Sequence, residues 1–136
     1  GPLEELGLRL ALEQLARSTT ERDGLNLEMN IPPNIDDLDP TVEQCIYRIA
    51  EEGLRNVSQH ARATRISLSM TRQPEKIEFI LADDGQGLSP VDLEQPGHYG
   101  VHGMQERAAA VGGMLSIENL PGNGVRLQLT IQGKNA

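Results

Sequence analysis

The sequence predicts a two-layer α/β (α+β) sandwich, in which one mixed sheet packs against three main helices on one face. Several short segments alternate apolar and polar residues, as half-buried strands do. These segments are grouped between three stretches with the apolar spacing of amphipathic helices. Strands and helices in this arrangement bury their apolar faces by forming two layers. At 136 residues the chain is long enough for one real core.

The N-terminal part predicts a helix, a strand and a second, longer helix. The first helix covers residue 3 to about residue 17, relaxes through Ser18-Thr19-Thr20 and stops by Gly24. Residues 25 to 31 then alternate as a strand. The long helix begins at Asp39-Pro40, because aspartate is a good N-cap and proline suits the first helical position.

The C-terminal part predicts two hairpins around a third helix. Alternating residues 66 to 70 and 77 to 81 flank Gln73-Pro74-Glu75 and form the first hairpin. The helix runs from Gly103 to Val111 and is closed by Gly112-Gly113. Residues 115 to 117 and 125 to 131 then pair across a turn at residues 121–124.

A first motif, Asp83-Asp84-Gly85-Gln86-Gly87, ends the apolar run of the first hairpin. Glycines lack a Cβ, so the backbone here can take positive φ and let a flat ligand approach. A buried carboxylate can accept a hydrogen bond from an exocyclic amine such as that of adenine. The same pattern is also typical of an ordinary turn after a strand.

A second motif lies on the long helix, where Glu52, Asn56 and His60 have i, i+4, i+8 spacing and share one face. Such a stripe suits a magnesium-bound polyphosphate. Mg²⁺ takes most of its ligands from phosphate and water and leaves one or two for protein. The neutral oxygen of Asn56 can supply one, and His60 can donate to a phosphate. The alternative is a polar stripe that faces solvent.

A third motif, residues 97–107, is rich in glycine and opens the third helix. Unpaired backbone N–H groups and the positive end of the helix dipole make a helix N-terminus suitable for phosphate. The alternative is a flexible loop followed by a capped helix. That alternative explains the glycines but not their position after two other candidate nucleotide motifs.

In this order the three motifs resemble the ATP-binding domain of bacterial sensor histidine kinases, closest to the nitrate/nitrite-sensor and thermosensor subfamily. The superfamily also contains gyrase, a heat-shock chaperone and a mismatch-repair ATPase. The resemblance covers nearly the whole chain and implies a Bergerat-type ATP-binding fold with a mixed, mostly antiparallel sheet. It implies binding of ATP and Mg²⁺, donation of the γ-phosphate to a histidine on a separate dimerisation domain, and onward transfer to a response regulator.

Carried over residue by residue, the resemblance makes Asn56 the magnesium ligand and a catalytic residue, and Asp83 the reader of adenine. Glu52 matches a position that is a general base in some superfamily members, whereas in kinases of this subfamily the base is more often an acid beside the phosphoacceptor. A mobile lid is expected at about residues 88 to 99. The nucleotide-binding residues that the resemblance implies are Asn56, His60, Asp83, Gly85, Gly87, Gly100, Val101, Gly103 and Met104.

The resemblance also bears on domain organisation and partners. None of His60, His98 and His102 has the setting of a phosphoacceptor histidine, so the chain resembles a catalytic part. Residues 1–24 are expected to be a tag scar and a linking helix from the missing phosphoacceptor bundle, with the ATP-binding catalytic domain at 25–136. The expected partners are the phosphoacceptor histidine domain, dimeric in the full protein, and a response regulator, while the chain itself is expected to be monomeric.

Composition excludes some classes. A net charge of −8 argues against nucleic acid, and no apolar stretch is long enough to span a bilayer. The single cysteine, Cys45, lies among apolar helix positions and indicates a buried thiol in a reducing compartment. We therefore expect a cytoplasmic domain, and the cytoplasmic part of a membrane-anchored sensor is compatible with this expectation.

Two other functions are alternatives to that of a sensor kinase. A dinucleotide fold fails because Pro90 stands where its motif needs a third glycine. A nucleotide-responsive regulatory module, or a serine-kinase-like relative of the same superfamily, remains the alternative, because fold does not fix function. The subfamily-like stretch from Gly103 to Arg107 favours the sensor kinase.

Overall fold

The computed structural model describes residues 1–35, 37–89 and 100–133. Within these ranges the chain forms helices, a π-helical segment and five strands, which we number in chain order. The helices are α1 (Pro2–Leu6), α2 (Leu8–Asp23), α3 (Pro40–Asn56) and α4 (Val101–Ala109), with a 3₁₀ turn at Pro33–Ile35 and a π-helix at Val57–Ala61 directly after α3. The strands are β1 (Asn26–Asn30), β2 (Arg65–Gln73), β3 (Lys76–Asp83), β4 (Gly113–Asn119) and β5 (Val125–Gln132).

The strands form a sheet with the order β1-β2-β3-β5-β4. Strand β1 pairs with β2 in parallel, whereas the β2–β3, β3–β5 and β4–β5 pairs are antiparallel. The predicted mixed, mostly antiparallel sheet is thus confirmed. Both predicted hairpins are also present, because β2 and β3 are adjacent and so are β4 and β5.

The core lies between the sheet and helices α2, α3 and α4. Alternate residues of the three central strands are buried toward it, as the period of two in their sequences requires. Phe79, the single phenylalanine, is fully buried in β3. Burial of each large side chain contributes about 1.5–3 kcal/mol. The fully buried large residues of the sheet are Ile66, Leu68, Ile77, Phe79, Leu129 and Ile131.

Helix α3 follows the prediction at its start. The Asp39 carboxylate accepts a hydrogen bond from Thr41 N at 2.9 Å, and Pro40 occupies the first helical position. Cys45 is buried on the core face, where burial raises the pKa of its thiol to about 11. The thiol donates to the Arg107 carbonyl oxygen at 3.6 Å, which links α3 to α4.

The N-terminal helix differs from the prediction. Gly7, with φ 80°, separates α1 from α2, and α2 continues to Asp23 rather than relaxing at the serine and threonines. The Thr20 hydroxyl donates back to the Ala16 carbonyl oxygen at 2.9 Å, which keeps this turn helical. Gly24 ends the helix in the left-handed region, as predicted.

Helix α2 packs into the same core as the rest of the chain. Leu8, Ala11, Leu12 and Ala16 have no exposed surface. Residues before 24 therefore share one hydrophobic core with the sheet and with α3 and α4. The domain boundary at residue 24 remains a prediction. Within the described ranges, no helix is both long and apolar enough to cross a bilayer.

Candidate functional site

The end of α3 changes its helical type where two of the predicted site residues lie. Asn56 is the last α-helical residue, and His60 belongs to the π-helix that follows. A π-helix has a wider turn than an α-helix and occurs frequently at functional sites. Both residues line one cavity, which we call the inner cavity. Glu52 lies instead in a neighbouring groove, so the three residues do not form one continuous stripe along a single cavity.

The inner cavity has a volume of about 40 Å³. That is room for a few water molecules, well below the roughly 300–1,000 Å³ of sites that bury a whole ligand. The polar side chains of the inner cavity are Asn56, His60 and Asp83, and its walls are apolar, formed by Val57, Leu81, Leu88, Val101, Ile117, Val125 and Leu127.

Asp83 places a nearly buried carboxylate at this cavity, with 7% of its surface exposed. Burial raises the pKa of this carboxyl, and backbone hydrogen bonds from Gly85 and Val125 oppose the rise. The Gly85 N–H donates to it at 2.7 Å. The carboxylate is therefore held in one orientation and keeps acceptor capacity for a ligand.

The loop after β3 is bonded to the π-helix. Gln86 N donates to the Ala61 carbonyl oxygen at 2.7 Å, and Gln86 Nε2 donates to the His60 carbonyl oxygen at 2.6 Å. A Cβ on Gly85 would overlap the Ala61 carbonyl group, so glycine is required by close approach at this position. These contacts hold the Asp83 loop against the helix end that carries Asn56 and His60.

Asp84 fixes the same corner from the side of β2. Its carboxylate accepts from Thr64 N at 2.8 Å, Thr64 Oγ1 at 2.6 Å and Arg65 N at 2.9 Å. These hydrogen bonds lower the pKa of Asp84 to about 2. Asp84 is exposed, and its hydrogen bonds tie the loop after β3 to the start of β2, so it stabilises the structure of the corner.

The neighbouring groove, which we call the outer groove, has a volume of about 780 Å³ and lies between α2, α3 and α4. Glu52, Gly100, Gly103 and Met104 line it. Gly100 has φ 67° and precedes the first turn of α4, and a Cβ there would overlap the Glu52 carboxylate. The glycine therefore brings the start of α4 close to Glu52.

Val101 connects the two spaces, because it lines the inner cavity one position after Gly100. The N-terminus of α4 thus lies beside both. The predicted lid at about residues 88 to 99 falls outside the described residues from residue 90 onward. Arg22, Arg48, Arg55 and Arg107 also line the outer groove, where Arg48 pairs with Glu51 at 2.8 Å and Arg55 with Glu52 at 3.6 Å.

The donor chemistry fits a purine nucleotide with magnesium. A fixed carboxylate at an apolar cavity suits an amine-bearing ring, and the Asn56 amide oxygen is a hard ligand of the kind Mg²⁺ accepts. Among the residues that the structure describes, no three or more His, Cys, Asp or Glu side chains group to hold a metal ion. The residues that would hold this ion with a nucleotide are therefore Asn56 together with phosphate and water.

The sequence motifs missed three residues that shape the site. In the sequence, Gln86 is only the variable position between two glycines, yet it donates twice to the π-helix. Thr64 binds Asp84, and Asn119 binds the backbone of Leu88. Their partners are 20, 26 and 31 positions away, so no local pattern could have indicated them.

Comparison with known proteins gives one family match. The family described as "Histidine kinase-, DNA gyrase B-, and HSP90-like ATPase" matches residues 41–135. This range contains every predicted site residue. It begins at the first turn of α3 and therefore leaves α1, α2 and β1 outside.

Curated relatives and solved structures agree with that family. The chain is 32% identical over 129 residues to the signal transduction histidine-protein kinase/phosphatase UhpB of Salmonella typhimurium, covering 93% of this chain and 25% of the relative. It is 25% identical over 129 residues to the sensor histidine kinase LiaS of Bacillus subtilis, covering 95% of this chain and 35% of the relative. The chain thus spans about a quarter to a third of these relatives.

Two solved structures show the same fold. The histidine kinase domain of a blue-light-activated histidine kinase from Erythrobacter litoralis aligns with a TM-score of 0.74 and 23% identity, over 92% of this chain and 60% of that one. The catalytic domain of histidine kinase ThkA aligns with a TM-score of 0.73 and 16% identity, over 98% and 93%. The expected fold is thereby confirmed.

Proposed function

Because the chain belongs to the family of histidine kinase-, DNA gyrase B- and HSP90-like ATPases, we propose that it is the catalytic, ATP-binding domain of a two-component sensor histidine kinase. It binds Mg·ATP and donates the γ-phosphate to a histidine on a separate dimerisation domain. A response regulator then receives the phosphoryl group. The observation that carries this proposal is the convergence of Asn56, His60 and Asp83, from α3, the π-helix and β3, on one inner cavity.

The purine end of the ligand belongs in the inner cavity. The Asp83 carboxylate accepts a hydrogen bond from the exocyclic amine of adenine. The apolar walls supply hydrophobic contact for the ring, and Gly85 and Gly87 keep the loop backbone close to it. Adenine is larger than the cavity, so the site extends toward its mouth when the ligand is bound.

The phosphate end belongs at the mouth, near Asn56 and the start of α4. Asn56 ligates magnesium, and His60 donates to a phosphate oxygen. The backbone N–H groups near Gly100, Val101, Gly103 and Met104 face the anion at the positive end of the helix dipole. Magnesium, when bound, neutralises charge that develops during phosphoryl transfer.

Catalysis then consists mainly of positioning, as is general for phosphoryl transfer. The bond between the γ-phosphorus and the bridging oxygen breaks, a bond to the acceptor imidazole forms, and ADP leaves. Glu52 lies beside Gly100 in the outer groove and is the candidate general base.

The partners and location follow from this role. The phosphoacceptor histidine domain of the same kinase approaches the γ-phosphate from the mouth of the site, and a response regulator follows in the relay. Both belong to a cytoplasmic signalling reaction. The competing proposal is a regulatory module that binds nucleotide without transferring phosphate.

Two measurements test the proposal in sequence. Mg·ATP at about 100 times its Kd should stabilise the fold by about 2.7 kcal/mol, because it binds the native state only. For a chain of this size the midpoint of thermal unfolding should rise by roughly 10 °C. Asn56→Ala should remove the magnesium-dependent part of this rise, whereas Asn30→Ala, at an exposed position on β1, should leave it unchanged.

Phosphoryl transfer is then measured with an added dimerisation domain from a homologous kinase and γ-labelled ATP. Label on the acceptor histidine supports the kinase. Binding without transfer to any acceptor would favour the regulatory module, and no shift with any nucleotide would contradict both.

A further inference from the structure

Asn119, the last residue of β4, holds the backbone of Leu88 with two hydrogen bonds. Leu88 N donates to Asn119 Oδ1 at 2.8 Å, and Asn119 Nδ2 donates to the Leu88 carbonyl oxygen at 2.6 Å. One amide side chain thus satisfies both polar groups of one backbone residue, as a neighbouring strand would. We call this pair of hydrogen bonds the Asn119 clamp.

Leu88 lines the inner cavity, whereas Asn119 does not. Asn119 therefore acts on a ligand in the cavity only indirectly, and Leu88 is the cavity residue that its side chain holds with two hydrogen bonds. The loop is also close-fitting at Gly87, where a Cβ would lie 3.0 Å from Asn119 Oδ1 and φ is +78°. Glycine at this position allows the amide to reach the next residue.

The strand pair that carries Asn119 forms another part of the cavity. Ile117, two residues earlier on β4, lines it, and so does Val125, which pairs with Asn119 across the hairpin. Leu120 N donates to the Gly124 carbonyl oxygen at 2.9 Å and closes the turn. The Asn119 clamp thus fixes the wall at Leu88 relative to the walls at Ile117 and Val125.

Binding against a cavity wall that is already ordered costs less conformational entropy than binding against a wall that becomes ordered together with the ligand. Without the amide, the Leu88 N–H and carbonyl groups would bond to water. The side chain would then lose its fixed distance from Ile117. The clamp therefore acts on the purine end of the site and not on the phosphate end.

We propose that Asn119 is a positioning residue for nucleotide binding, which sets the affinity of the inner cavity for the purine by fixing Leu88 as one of its walls. The inference rests on the proposed function, since it assumes that a purine occupies this cavity. Asn119 lies outside the three sequence motifs, so the proposal adds a residue to those that determine the affinity for nucleotide.

The test is calorimetric binding of ADP and ATP, with and without Mg²⁺, to the wild-type chain and to Asn119→Ala. Loss of two hydrogen bonds and of the ordered wall should weaken binding by roughly 5- to 10-fold. The factor should be the same for both nucleotides and independent of Mg²⁺. Asn123→Ala is the matched control, because Asn123 is an exposed asparagine of the same hairpin that does not line the cavity.

A double-mutant cycle separates positioning from general destabilisation. If Asn119 acts through the Leu88 side chain, Asn119→Ala should have little further effect in a Leu88→Ala background. Additive losses would overturn the proposal. Asn119→Asp keeps the shape, loses the donor and should also weaken binding, so the inference remains testable if the alanine variant does not fold.

The outcomes distinguish this inference from the proposed function. If the wild-type chain binds nucleotide and Asn119→Ala binds it with an unchanged or lower Kd, the inference about Asn119 is overturned and the proposed function is not. Absence of nucleotide binding by the wild-type chain would overturn both. A loss that appears for ATP with Mg²⁺ but not for ADP would also contradict the clamp, because it would locate the effect at the phosphates.

Discussion

At the scale of single residues, Asp83 and Asp84 are neighbours whose pKa values are displaced in opposite directions. Burial raises the pKa of Asp83, and hydrogen bonds from Thr64 and Arg65 lower that of Asp84. Successive residues at the end of a strand point to opposite sides, so one carboxylate faces the inner cavity and the other faces the β2 corner. The pair therefore divides into one carboxylate at the inner cavity and one that fixes the β2 corner.

The substitution Asp83→Asn should weaken the binding of ATP far more than the binding of GTP. The variant loses the charged acceptor that an exocyclic amine at this position would use, and a hydrogen bond to a charged group is worth about 1.5–3 kcal/mol. Calorimetry should show a roughly 10- to 100-fold higher Kd for ATP. Asp23→Asn, at the exposed end of α2, is the control. An equal loss for both nucleotides would mean that Asp83 does not read the purine.

Asp84 should make part of the stability depend on acid pH. Its folded-state pKa of about 2 is below the ordinary value of 3.8. The stabilisation it gives is therefore complete above the ordinary value and is lost as pH falls toward the folded-state pKa. Urea unfolding between pH 5 and pH 2.5 should show a shallower decline for Asp84→Asn than for the wild-type chain. Parallel declines would show that these hydrogen bonds contribute nothing.

At the scale of elements, the site depends on the contact between the π-helix and the loop after β3. The carbonyl groups of His60 and Ala61 accept from Gln86 rather than from helical N–H groups further along the chain. The π-helix ends at Ala61 and is followed by Arg62, which takes a left-handed φ of 53°. The loop thus closes the end of the helix that carries Asn56.

Gly85→Ala should disrupt this contact. The added Cβ would overlap the backbone of Ala61, which cannot rotate away as a side chain could. We expect a loss of about 3 kcal/mol in the free energy of unfolding, typical of severe overpacking, together with loss of nucleotide binding. Gly122→Ala is the control, because a Cβ there meets nothing within 4 Å. Wild-type stability of Gly85→Ala would refute the close packing.

Local sequence patterns predicted the helices and strands better than the places where these elements end or meet. The N-cap at Asp39, the end of α2 at Gly24 and both hairpins follow from short-range rules, and the structure confirms them. The break at Gly7 and the change to a π-helix were not predicted. The π-helix accepts a hydrogen bond from Gln86, 26 positions from His60, and periodicity along a helix carries no information about such a partner.

The dependence on distant partners also explains which residues of the site could be predicted from the sequence. The Asp-x-Gly-x-Gly spacing indicated the cavity carboxylate, because these residue types act through local backbone freedom. Asn119 could not be predicted, because an asparagine at the end of a strand is typical of many turns. Glu52 was predicted to share a face with Asn56 and His60, but it lines the outer groove, whereas the other two line the inner cavity.

At the scale of the whole molecule, the site lies where α3, the β3 loop, α4 and the β4–β5 hairpin meet. Helix α2 lies behind α3 and buries four residues without exposed surface in the same core. The inner cavity is thus built on packed elements of one core together with the loop after β3.

The most direct test of this account is a crystal structure of the chain with Mg²⁺ and a non-hydrolysable ATP analogue. The account predicts adenine against Asp83, the metal ion on the Asn56 amide oxygen, and phosphates at the start of α4. An analogue bound at another surface, or with its purine away from Asp83, would contradict it.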